Sequence, residues 1–357
     1  MQLYFRHIAR RGSRPVRHSC QSLVRPLGAG LLALAACAAA PNAGAAAPRA
    51  GTVVTATVDP AGVDTTLSLK ALKQRYSDAA SRSMVIGGLA IRYKDEGQAG
   101  GHDPAIVLLH GSYGSLDGYD ALAAALASDH RVIRFDMPGM GLSEGQPVSG
   151  SAPTVMGDAV LAALLDRLGV KQAVLVGTSS GGVIASYYAA AHPERVRALV
   201  LANVPSDPVD NANIPRSPAL RAEFERAAST GMRDLRYWQV YLEWLQGRPE
   251  RLTAATVSRY RDMNGREGKS RSAWRSTGKV PEVYATLASI VSPTLLIWGR
   301  HDFVLPIHTM RDLEARLPAA SVSSIVLDDV GHYPPLEVPE RFARILRTYL
   351  ENVAGGE

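Results

Sequence analysis

The chain reads as a doubly wound α/β domain on a mostly parallel sheet, with a helical cap inserted late in that sheet. Three observations predict this. Continuous rather than alternating apolar runs recur at 105–109, 132–135, 173–176 and 198–202, the pattern of short strands buried on both faces. Helical stretches at 119–128, 154–168 and 179–191 separate them, the last stopped by Pro193. After Asn203 the alternation pauses. It resumes with a strand at 294–298, a helix near 307–316, a strand at 322–327 and a last helix over 339–352.

Taken in order, residues 1–37 read as an export signal: an arginine-rich start, an apolar run from 27 to 36, then small residues. The run lies between Pro26 and Pro41 and falls short of the roughly 20 apolar residues that a bilayer-spanning helix needs. Within it, Leu34-Ala35-Ala36-Cys37 resembles a bacterial lipobox, which implies lipidation of Cys37 and association with a membrane through that anchor. A cut after Ala43-Gly44-Ala45 is the alternative and implies simple secretion. Cys20 and Cys37 are the only cysteines, so the folded part has neither a disulfide nor a thiol nucleophile. Residues 38–65, rich in Ala, Pro, Gly and Thr, have the composition of a flexible tether, and 66–357 form the folded domain. There SLKALKQRY predicts a short helix, and 84–93, with Gly87-Gly88 inside it, a strand, turn and strand. Residues 208–288 read as helices without a strand, a cap over one end of the sheet.

Charge excludes one class of partner. The formal net charge is +6, but residues 1–50 hold seven arginines, no lysine and no acid, which leaves the remainder at −1. Nucleic-acid binding loses its main support. No His/Asp spacing suggests a metal site, and GMGLSEG lacks the lysine of a phosphate loop, so no cofactor is expected.

The chemistry concentrates in VLVGTSSGGVIA, residues 174–185, where a strand turns sharply into a helix. A nucleophile on such a turn sits in a strained backbone that admits only very small residues two before and two after it. From Ser179 those positions are Gly177 and Gly181; from Ser180 they are Thr178 and Gly182, and threonine would clash. Ser179 is therefore the candidate nucleophile, and the backbone N–H of Ser180, at the helix start, faces a developing oxyanion. Of nine histidines, His332 lies after the strand ending at Leu327, in DDVGHYPPLEVPE, on a loop at the ligand-binding edge. His110, between a strand and Gly111, reads as a packing and turn position. A carboxylate must hold the histidine tautomer, and Asp302, after TLLIW, is at the same edge; Asp207 competes for the role.

With Ser179, Asp302 and His332 in that order, the chain resembles the α/β-hydrolase superfamily, in its serine-nucleophile branch. The resemblance runs from about residue 83 to 350 and rests on six blocks in order: IRYKDEG, LLHGSYGS, RFDMPGMGLSEG, VGTSSGG, LLIWGRHD and VGHYPPLEVPERF. It implies that the second oxyanion donor is the N–H of Ser112, and that Asp136, Gly139 and Gly141 form a structural turn. A serine at 179 departs from the dehalogenases and many epoxide hydrolases, which carry Asp there. Carbon–carbon bond hydrolases of the meta-cleavage type are similar across these blocks, but usually have tryptophan where this chain has Tyr333 and a bulky apolar residue at Ser180.

The expected function is that of an exported serine hydrolase acting on a small-molecule carboxylic ester. The rivals are a carbon–carbon hydrolase, a cofactor-free haloperoxidase-like perhydrolase and a non-catalytic binding protein. The cap segment RDLRYWQVYLEWL places Tyr237, Tyr241 and Trp244 on one helical face, with Trp238 and Leu245 beside them, either to pack the cap or to line an acyl or aromatic pocket. Residues 248–279 carry nine basic side chains (Arg248, Arg251, Arg259, Arg261, Arg266, Lys269, Arg271, Arg275, Lys279) against Glu250, Asp262 and Glu267. They form either a solvated face or a patch that steers an acidic substrate or rests on anionic headgroups.

Overall fold

The computed structural model describes residues 66–97, 104–145, 157–266 and 282–354; the expected leader and tether, with Cys37, lie outside them. Ser68 caps α1 (Leu69–Tyr76), its hydroxyl accepting from the Ala71 N–H. β1 (Arg82–Ile86) and β2 (Leu89–Gly97) form a hairpin whose two turn residues, Gly87 and Gly88, both have positive φ, 58° and 81°. Then follow β3 (Ala105–Leu109), α2 (Asp120–Leu126), β4 (Arg131–Phe135), α3 (Gly157–Arg167), β5 (Ala173–Thr178), α4 (Ser180–Ala191) and β6 (Val196–Ala202).

The strands form one sheet in the order β1-β2-β4-β3-β5-β6-β7-β8, with β7 at Thr294–Gly299 and β8 at Val322–Leu327. β1–β2 and β2–β4 are antiparallel and the other pairs parallel. The continuous apolar runs follow from burial on both faces. In β3, Ile106 and Leu108 join Leu122 and Leu126 of α2 and Phe342 and Leu346 of α11 (Pro339–Ala354). Val107 and Leu109 point the other way, into a cluster with Leu161 of α3, Ile184 of α4 and Leu313 of α9 (Ile307–Ala315).

The chain passes from β3 to β4 on one side and then to β5 on the other, so the sheet has its topological switch between β3 and β5. Crevices open at the carboxyl ends of such strands, here at His110-Gly111 and at Ser179. Between β6 and β7 the described residues form helices and no strand: α5 (Pro218–Thr230), α6 (Leu235–Leu245), α7 (Ala254–Asn264) and α8 (Glu282–Ala285). Ser217, Asp234 and Thr253 cap the first three through side-chain oxygens, and Gly231, at φ 74°, stops α5.

One buried ion cluster ties β2 to the loops beyond β3 and β4. Arg92 donates to both oxygens of Asp117, at 2.7 and 2.9 Å, and lies 3.5 Å from Asp136. Asp136 in turn accepts from the Leu116 and Leu142 N–H groups, which sets the turn carrying Gly139 and Gly141, both at positive φ. All three charged side chains are buried. Arg92→Met should therefore cost about 3–5 kcal/mol in urea unfolding, because it strands two carboxylates out of water. The exposed pair Arg300–Asp328 is the control: Arg300→Met should change stability by less than about 1 kcal/mol. Equal effects would mean that the cluster is not load-sharing.

Candidate active site

Ser179 stands between β5 and α4 with φ 52° and ψ −126°, a conformation that L residues rarely adopt. The glycine spacing has a steric cause. A Cβ on Gly177 would lie 2.4 Å from the Gly182 Cα, and one on Gly181 would lie 2.2 Å from the Leu109 carbonyl oxygen. Thr178, the position that disfavours Ser180 as the turn residue, is buried with its hydroxyl 3.0 Å from that of Tyr119. Ser180 is the first residue of α4, so its N–H has no acceptor within the helix and is directed out of its start.

Asp302 and His332 come together from the loops after β7 and β8. His332 Nδ1 lies 2.7 Å from Asp302 Oδ2, and both side chains are buried. An ionised carboxylate only accepts, so Nδ1 carries the hydrogen and Nε2 is left as a base. Asp302 also accepts from the Val304 and Leu305 amides, at 2.8 and 3.0 Å, and from the side-chain amide of Asn203. Asp207 is instead on the surface, paired with Arg316. The Ser179 hydroxyl makes no hydrogen bond to another described residue. Such contacts are often long before substrate binds.

Gly111 brings the third loop against these two. A Cβ there would lie 3.0 Å from the Ser179 Cβ and 3.2 Å from Tyr333 Cε1. The Tyr333 hydroxyl donates to the Ser112 carbonyl at 3.0 Å, while the Ser112 and Ser180 hydroxyls are 3.1 Å apart. Ser112 and Ser180 thus face each other across the space beside Ser179. Burial holds the Tyr333 phenol well above its usual range, so it stays a neutral donor. His110 is structural, as expected: Nε2 accepts from the Met137 N–H and Nδ1 lies against the Gly111 carbonyl.

The cap holds the His332 loop directly. The His332 N–H donates to the Leu245 carbonyl at the end of α6, and a Cβ on Gly331 would lie 2.2 Å from that same oxygen. Glu337, in the short α10 (Pro334–Glu337), accepts from Gly331 N–H with one oxygen and from Gly247 N–H with the other, at 2.8 and 2.9 Å. Neither Asn203 nor Glu337 was singled out from the sequence. Asn203 carried one signal, a polar residue closing the apolar run of β6, whereas the partners of Glu337 are backbone amides that no side-chain pattern reveals.

The four cap aromatics pack. Tyr237 stacks on Phe224, Trp238 and Tyr241 set their edges against Tyr113, and Trp244 stacks on Phe303. A separate small cavity lies beside Gly111, Thr178 and Tyr333 and is lined also by Tyr260 and Leu336; none of the four lines it. Of the basic segment, the described members are engaged: Arg251 with Asp329, Arg259 with Asp120, Arg261 with Asp262, Arg248 with Glu250, and Arg266 with the Gly141 and Ser143 carbonyls. Lys269, Arg271, Arg275 and Lys279 lie outside the described residues.

A family model described as alpha/beta hydrolase fold matches residues 104–339. A 2-hydroxy-6-oxononadienedioate/2-hydroxy-6-oxononatrienedioate hydrolase of Burkholderia vietnamiensis is 32% identical over 287 residues, 73% of this chain and 91% of the relative. Lipase 1 of Psychrobacter immobilis is 27% identical over 81% of this chain and 90% of its own. Among solved structures, the enol-lactonase of Burkholderia xenovorans superposes with a TM-score of 0.60 at 22% identity, covering 76% of this chain and 100% of that one, a likeness of fold alone.

Burial pushes the Glu337 carboxyl up to about 7, against the pull of the Gly247 and Gly331 amides. Between its ordinary value of 4.5 and 7, the native state keeps a proton that the unfolded chain has released. Glu337 therefore favours the fold at acid pH, and that contribution is lost as pH rises through 7. Glu337→Gln removes the dependence. The stability of wild type relative to the variant should fall by about 3 kcal/mol from about pH 5 to about pH 8, read from urea midpoints. A gap that stays constant would show equal proton binding in both states.

Proposed function

Since this chain belongs to the α/β-hydrolase family, we propose that it is a serine hydrolase that cleaves a carboxylic ester through a covalent acyl-enzyme. His332 Nε2 takes the proton of the Ser179 hydroxyl as Oγ attacks the ester carbonyl carbon. The N–H groups of Ser112 and Ser180 hold the oxyanion, and Asp302 stabilises the imidazolium. The carbon–oxygen bond to the alcohol then breaks, and His332 returns its proton to the departing oxygen. Water, deprotonated by the same nitrogen, attacks the acyl-enzyme and releases the acid and free Ser179.

The observation that carries this reading is the juxtaposition of the strained Ser179 turn with the oriented Asp302–His332 pair. A carbon–carbon hydrolase remains the second reading, favoured by the similarity to the dioate hydrolase of Burkholderia vietnamiensis. The ester is preferred because this chain has Tyr333 after the histidine and Ser180 after the nucleophile, where carbon–carbon hydrolases of the meta-cleavage type usually have tryptophan and a bulky apolar residue. The same proposal places the enzyme outside the inner membrane, tethered through Cys37 or secreted.

Ser179→Ala should lower kcat on the order of 10⁶-fold and abolish labelling by a fluorophosphonate probe, while Ser180→Ala, whose role is a backbone N–H, should lose far less. Comparable losses would identify the wrong serine. Asp302→Asn should cost about 10⁴-fold in kcat, and Asp207→Asn no more than about threefold; the reverse ranking moves the acid to the end of β6. Metabolic labelling with a fatty-acid analogue checks the anchor. Unlabelled protein cut near Ala45 and recovered in the soluble fraction would leave secretion alone.

A further inference from the structure

We infer that Tyr333 and Asn264 are positioning residues for the oxyanion site: together they hold the turn of residues 111–114 in the one form that aims the Ser112 N–H at the developing charge. This rests on the ester reading and deepens it. The Gly114 N–H donates to the Gly111 carbonyl at 3.1 Å, which closes a β-turn, and Tyr113, its third residue, has φ 62° while Ser112, its second, is not at positive φ. Positive φ at the third place alone is the requirement of a type II turn, and glycine or asparagine normally meets it. A tyrosine there favours the type I form, with negative φ. The two forms differ by a flip of the Ser112–Tyr113 peptide, which turns the Ser112 ψ through roughly 150°. The strain therefore lies in the residue next to the donor.

The observed form is held from outside the turn, at the carbonyls of its two central residues. The Tyr333 hydroxyl donates to the Ser112 carbonyl at 3.0 Å, a bond that the flip breaks, because it swings that oxygen to the other face of the turn. Asn264, the last residue of α7, donates through its side-chain amide to the Tyr113 carbonyl at 3.0 Å and to the Tyr260 carbonyl at 2.9 Å. Trp238 and Tyr241 of α6 complete the grip, with ring centroids 5.5 and 5.9 Å from that of Tyr113. Gly111 has no room to follow: a Cβ there would already lie 3.0 Å from Ser179 Cβ and 3.1 Å from the Thr178 carbonyl, so the turn does not shift as a unit and a flip is absorbed at Ser112. An oxyanion donor acts only within hydrogen-bond reach of the developing charge. A turn exchanging between two forms offers that donor for part of the time. The cap and the His332 loop thus stabilise a backbone geometry that the turn's own sequence disfavours.

Tyr333→Phe removes the hydroxyl and keeps the ring. With the purified full chain and p-nitrophenyl acetate, kcat should fall about tenfold while KM stays within about twofold, the signature of an interaction made in the transition state. Loss of a whole oxyanion donor costs more, about 10²–10³. Inhibition by an alkyl trifluoromethyl ketone, whose adduct with Ser179 places an oxyanion at the same point, should weaken by the same factor. The acid limb of kcat/KM against pH should not move, because the Asp302–His332 pair is untouched. Glycine has no preference against positive φ, so in the Tyr113→Gly background the further change Tyr333→Phe should cost less than about threefold. Asn264→Ala reaches the turn from the cap rather than from the His332 loop. It should show the same loss of kcat without KM, and it decides if Tyr333→Phe does not fold. A kcat within about twofold of wild type in both variants, a displaced acid limb, or an undiminished cost in the Tyr113→Gly background would overturn the positioning role and leave the ester reading standing. A wild type that hydrolyses neither p-nitrophenyl acetate nor p-nitrophenyl octanoate would overturn both.

Discussion

The backbone of Ser179, held at positive φ between a strand and a helix, is the constraint from which the rest of the site follows. Strain of this kind costs on the order of 1–3 kcal/mol and persists only where packing leaves no alternative. Here the packing is backbone on backbone. Gly177 lies against Gly182, Gly181 against the end of β3, and Gly182 against Val204, each too close for a Cβ. These approaches draw the ends of β3, β5 and β6 together and leave the serine hydroxyl proud of the sheet at its switch point. They also place the first N–H of α4 beside the loop of Gly111 and Ser112.

The loops around that point are held by buried acceptors rather than by exposed ion pairs. Asp302 collects four donors, from His332, Asn203, Val304 and Leu305, so its position and the tautomer of His332 are over-determined. Asn203 itself sits at φ 49°, a conformation asparagine tolerates better than most residues, and its side-chain Oδ1 accepts from Gly299 N–H. Asp136 plays the equivalent part for the loop after β4, and Glu337 for the junction of cap and His332 loop. A hydrogen bond to a charged group contributes about 1.5–3 kcal/mol net, more than the median surface pair. Geometry at the site is therefore purchased in the interior.

How much of this was legible in the chain depends on the range of the signal. The strands of the sheet were visible because burial on both faces leaves continuous apolar runs such as AIVLL, and the turn at Ser179 because steric exclusion leaves glycines at fixed offsets. The pairing of Asp302 with His332 followed from topology, since both sit past the carboxyl ends of adjacent strands. What escaped notice were contacts whose partners are main-chain groups far along the sequence. Glu337 to Gly247 spans 90 residues, and Tyr333 to Ser112 spans 221. The cap aromatics show the other limit. Helical spacing placed Tyr237, Tyr241 and Trp244 on one face, but whether that face meets protein or ligand depends on what stands opposite, and Phe224, Tyr113 and Phe303 stand there.

One short stretch joins the candidate base to the cavity wall and to the cap. Between 332 and 337 the chain supplies the proposed base (His332), the residue that holds the Ser112 carbonyl and walls the cavity (Tyr333), a second wall (Leu336) and the anchor to the cap (Glu337). The wall and the base hang from the same anchor, so large changes of side-chain volume on this side pull on the hydrogen bond between His332 and Leu245 as well as on the cavity. The opposite wall is built differently. Gly118 belongs to the turn before α2, which is tied through Arg92 and Asp117 to β2 and also packs against α10 of the base loop. Both walls therefore rest on the loop that carries His332, and a change of side-chain volume at either is felt there.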